Sequence, residues 1–85
     1  MAANKVDTLL AELEEVAAQL DIRLRYEVTR AKGGLCQVDG KFMFILDRKA
    51  AKDYRLLMLA RAIKSFDLSN IYLSPKLREY LDEEV

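Results

Sequence analysis

Three cations, Arg48, Lys49 and Lys52, fall within five positions at the point where a helical period begins. A helix N-terminus already presents partial positive charge, so such a cluster is locally unfavourable unless an anion meets it. A phosphate or a nucleic-acid backbone would relieve the repulsion, with Arg23, Arg25, Arg30 and Lys32 as further contacts. The plainer reading is that Asp47 and Asp53 neutralise the cluster while the long side chains reach water. The whole chain carries 14 Lys/Arg and 14 Asp/Glu, yet Arg23 to Lys64 holds a net +7, balanced by −4 before it and −3 after it.

Other chemistry is scarce. There is no histidine and one cysteine, which removes Cys/His zinc sites, Ser-His-Asp and Cys-His catalysis, and any intramolecular disulfide. Cys36 follows the Gly33-Gly34 break, but nothing nearby would lower its pKa, and it reads as a small buried hydrophobe in a strand. The double glycine lacks the lysine and hydroxyl of a phosphate loop and precedes a strand where that loop needs a helix. Glu14, Glu15, Asp82, Glu83 and Glu84 read as solvated carboxylates. Tyr26, Phe42 and Phe44 sit on apolar faces, which leaves no stacking platform for bases.

The elements that must position these residues are legible from period. Val6, Leu9, Leu10, Leu13, Val16, Ala17 and Leu20 recur at three- and four-residue steps, an amphipathic helix entered near Asn4. Asp21 alone separates it from Ile22, Leu24, Tyr26 and Val28, which alternate with Arg23, Arg25 and Glu27 as in a half-buried strand. Val38-Asp39-Gly40-Lys41 predicts a two-residue hairpin turn, because Asp-Gly tolerates the positive φ values required. That turn sets Leu35 opposite Phe44 and Cys36 opposite Met43. One face then carries Leu35, Phe42, Phe44 and Leu46, the other Cys36, Val38, Met43 and Ile45. A second helical period runs from about Ala50 to Phe66 on Leu56, Leu59, Ala60, Ile63 and Phe66. A short extended run, Ile71 to Leu73, follows. Ser74-Pro75 then opens a last helix, with Leu77, Tyr80 and Leu81 on one side.

The stretches Leu20 to Tyr26, Gly33 to Cys36, Leu59 to Ala62 and Ile71 to Arg78 together resemble a family of short uncharacterised bacterial proteins over nearly the full length. Their motifs are turns, caps and core positions, so the resemblance implies a scaffold and no activity. More remotely, a strand ending at Asp47 followed by Arg55 and Leu59-Ala60 on a helix is similar to the scaffold of repressor-cleaving zinc metallopeptidases. That family continues with His-Glu-x-x-His. Here the histidine positions hold Arg61 and Ser65 and the glutamate position holds Ala62, so the resemblance implies a scaffold without the metal.

With 85 residues, 52% hydrophobic and 33% charged, the chain is expected to form one domain, 1–85, with a modest core. The expected fold is α+β, a two-layer domain with an antiparallel three-stranded sheet and helices in the order α-β-β-β-α-α. No cofactor, metal or catalysis is expected. The longest apolar runs, Phe42 to Leu46 and Leu56 to Ala60, are too short for a membrane span, and a lone cysteine without a leader pattern suits a cytoplasmic protein. The leading expectation for function is protein association, as a homodimer or a partner-binding module, through Met43, Ile45, Tyr54, Leu57 and Met58. The alternative is nucleic-acid or anion binding through the basic middle.

Overall fold

The computed structural model describes residues 5–28 and 34–85. The expected cap Asn4 and residues Arg30, Lys32 and Gly33 lie outside that range. The element order is α1 (Lys5–Gln19), β1 (Ile22–Glu27), β2 (Gly34–Val38), β3 (Lys41–Asp47), α2 (Lys52–Lys64) and α3 (Pro75–Glu83). This is the α+β order the periodicities predict.

Helix α1 ends where Asp21 takes φ 60°, a left-handed conformation that aspartate tolerates better than most residues and that turns the chain straight into β1. The hairpin between β2 and β3 forms as its sequence requires, with Asp39 at φ 53° and Gly40 at φ 79°. Its register pairs Leu35 with Phe44 and Cys36 with Met43.

The sheet is not antiparallel throughout, which corrects the expectation. Its order is β1-β3-β2, and β1 runs parallel to β3, with Ile22 beside Phe42, Leu24 beside Phe44 and Tyr26 beside Leu46. The reason lies in side chains. Strand β3 is apolar on both faces and takes the centre, while β1, with Arg23, Arg25 and Glu27 on alternate positions, takes an edge. The hairpin makes β3 antiparallel to β2, and β1 lies alongside β3 in the same direction.

One face of the sheet carries Ile22, Phe44 and Leu46, all buried, and is covered by α1 over β1 and by α2 over β3 and β2. The core continues through Leu9, Leu13 and Val16 of α1 and Leu56, Leu59 and Ile63 of α2. Phe66, just past α2, meets Phe42 edge-on with ring centroids 5.0 Å apart. Helix α3 adds Leu77 and Leu81 to the same core. It packs on α1 and α2 and closely approaches no strand among the described residues.

Ser74 caps α3, its Oγ accepting from Leu77 N at 3.2 Å, with Pro75 in the first turn. The same Oγ and the Ser74 N–H both donate to Glu12 of α1, at 2.6 and 2.8 Å. At the other end of α3, the Lys64 ammonium donates to the Leu81 and Val85 carbonyls at 2.8 and 3.0 Å, placing a cation where the helix dipole is negative. The Ile71 to Leu73 run joins no ladder.

Candidate functional site

Among the described residues, the basic side chains named from sequence lie on β1, in the turn after β3 and at the start of α2. Arg23 and Arg25 are exposed on the face of β1 away from the helices, and Arg25 pairs with Glu27 at 2.8 Å. Arg48 and Lys49 occupy the turn after β3, where the Asp47 carboxylate accepts from Lys49 N at 3.0 Å. Lys52 reaches back to Asp7 of α1 at 3.0 Å. Part of the neutralisation at the start of α2 therefore comes from Asp7, a residue 45 positions earlier, a partner no local pattern reveals. Arg30 and Lys32 lie outside the described residues.

Cys36 is exposed, contrary to its reading as a buried hydrophobe. Its pairing with Met43 is as expected, but β2 is an edge strand and Cys36 faces the side without helices, so nothing covers it among the described residues. The same position leaves Val38 48% and Leu35 38% exposed. Strand β2, Gly34-Leu35-Cys36-Gln37-Val38, holds no charged residue, no proline and no bulge against its neighbour. These are the devices by which edge strands normally discourage pairing, and β1 has two arginines and a glutamate in their place.

The association residues named from sequence flank this edge. Met43 and Ile45 are half-buried on the sheet face that no helix covers among the described residues. Tyr54, 42% exposed, and Met58 of α2 line a shallow depression with Phe44, Ile45, Ala50 and Arg55, beside the first β2–β3 pair, Gly34 with Ile45. Leu57 is half-buried and does not line it. Two patches that look independent in sequence thus adjoin one strand from its two faces.

The Tyr26 hydroxyl of β1 donates to the Glu14 carboxylate of α1, so Glu14 is a tertiary partner and not a solvated carboxylate. Burial first, and then the bond and negative charge of Glu14, raise the Tyr26 pKa well above the ordinary phenol value. Arg55 opposes this, its guanidinium lying 5.9 Å from the Tyr26 ring centroid. Arg55 Nε is buried and has no hydrogen-bond partner among the described residues. The alternation that places Tyr26 on the apolar face was the available signal that its hydroxyl needed a buried acceptor.

Among the described residues no three His, Cys, Asp or Glu side chains converge as a metal site. Ser65 closes α2 by donating to the Ala62 carbonyl at 2.6 Å. Among the described residues no helix is long and apolar enough to cross a membrane. No family model, curated protein or solved structure matches this chain.

Proposed function

We propose that this chain is a non-enzymatic protein-association domain that works as a homodimer, with the side carrying β2 as its contact surface. The observation that carries the reading is the uncharged edge of β2, unguarded among the described residues, between two apolar flanks, Met43 and Ile45 on one face and Tyr54 and Met58 on the other. Helix α3 packs on α1 and α2 and does not cover the open face. A standard interface removes roughly 800 Å2 per partner, more than a lone edge strand provides, so the flanks have to join it. The neutral net charge adds no long-range repulsion between copies.

Sedimentation equilibrium at micromolar concentration tests this. The expected mass is twice 9.8 kDa, tolerant of salt because the contact is apolar. Met43→Lys and Met58→Lys should each shift the protein towards monomer. A well-folded chain sedimenting at 9.8 kDa overturns the reading.

A further inference from the structure

Resting on that self-association reading, we infer that two copies join by antiparallel pairing of β2 with β2 of the second copy, in a register centred on Cys36, to make one six-stranded sheet. The hairpin geometry decides which backbone groups of β2 are not used by β3. A two-residue turn makes Val38 and Lys41 a hydrogen-bonded pair, and the antiparallel pattern then alternates, so Cys36 and Gly34 also spend their N–H and C=O groups on β3. Leu35 and Gln37 are in the non-hydrogen-bonded pairs with β3, and their backbone groups point away from it, outward from the edge.

A two-fold axis at Cys36 sets Leu35 of one copy against Gln37 of the other, twice, and each such pair can exchange both N–H···O bonds. All five residues of the strand take part. Centring the axis on Leu35 or on Gln37 would run part of each strand past the end of the other. The Cys36 residues then face each other as a non-hydrogen-bonded pair, with Cα atoms about 4.5 Å apart, inside the 4.4–6.8 Å range a disulfide spans.

Charge selects the strand. Pairing β1 with itself about Leu24 would set Arg23 against Arg25 twice, placing like charges directly opposite. Strand β2 has no charged side chain to repel its copy. The pairing also extends both faces without interruption: Cys36 and Val38 continue the Met43–Ile45 surface, and Leu35 continues the surface beneath α2.

Thiol oxidation reads the register. With diamide, two Cys36 thiols give up two electrons and two protons, the diamide is reduced to its hydrazine, and one S–S bond forms between chains. In a Cys36→Ser chain carrying Val38→Cys, each thiol faces Gly34 of the other copy and lies four residues from its own counterpart. Wild type should therefore cross-link at least about tenfold faster than this control. Gln37→Pro removes an outward N–H that β3 does not use, and should give a folded monomer by circular dichroism and sedimentation. If the wild type is a dimer but Cys36 cross-links no faster than Val38→Cys, the β2 pairing is overturned and self-association stands. A monomeric wild type overturns both. Should Gln37→Pro fail to fold, the comparison of cross-linking rates still decides.

Discussion

Tyr26 joins β1 to α1 through Glu14, and its raised pKa ties stability to alkaline pH. Below about pH 10, the ordinary phenol value, both folded and unfolded chains hold the proton and the contribution is complete. Above that, the unfolded chain releases its proton first, so stability falls as pH rises towards the folded pKa. Tyr26→Phe should cost about 0.5–1.5 kcal/mol at neutral pH and flatten the alkaline decline, read by urea midpoints from pH 7 to 11. Part of the slope should persist, because burial chiefly, and then Glu84 and Asp53, also raise Tyr80. An identical decline in the variant would remove Tyr26 as its source. Glu12 is a second side chain that joins two elements. Its carboxylate takes both donors of Ser74, so Glu12→Ala should cost about 1–3 kcal/mol and speed amide exchange across α3 more than across α1. The alternation of β1 announces that Tyr26 faces inward, but both carboxylates look like solvent-facing positions of α1, because helical period places a residue on a face without naming the hydroxyl or amide that will arrive there.

The β2–β3 hairpin is the element most completely specified by local sequence, since Asp-Gly admits the two positive φ values and alternation then sets every cross-strand pair. At Gly40 a Cβ would meet nothing within 4 Å, so any cost of a side chain there comes from φ 79° and not from crowding. Gly40→Val should therefore destabilise by about 1–3 kcal/mol, seen as a lower denaturation midpoint. An unchanged midpoint would show that the turn does not govern folding. The parallel alignment of β1 with β3 was not legible in the same way. A hairpin is decided by neighbours in the chain, whereas β1 and β3 meet across a connection and a whole intervening strand, and the alternation of β1 fits either direction equally.

For the molecule as a whole, part of the charge of the basic middle is paired among the described residues, Lys52 with Asp7 and Arg25 with Glu27, while Arg48 and Lys49 stand at a turn. Under the association reading, fluorescence anisotropy with mixed-sequence DNA and RNA stays flat even at low salt. Salt-dependent binding whose slope shallows in a Lys49→Glu, Lys52→Glu chain would instead give the function to those cations. The apolar surplus behaves differently. Met43 and Ile45 on one side of β2, and Tyr54 and Met58 on the other, come together around a single edge, which turns two modest patches into one candidate contact surface.

The order of elements, the hairpin and its register, the inward face of each helix and the uncharged composition of β2 follow from the sequence by itself, because each depends on φ preference or on side-chain period over a few residues. Only the tertiary structure decided that β3 takes the centre, that β1 runs parallel to it, that α3 leaves the second face of the sheet open, and that Cys36 is exposed. It also supplied the partners of Glu12, Glu14 and Lys52. Those outcomes are set by which surfaces compete for the same apolar cover and by which polar groups are carried together from distant positions. Period and propensity along the chain hold no term for either.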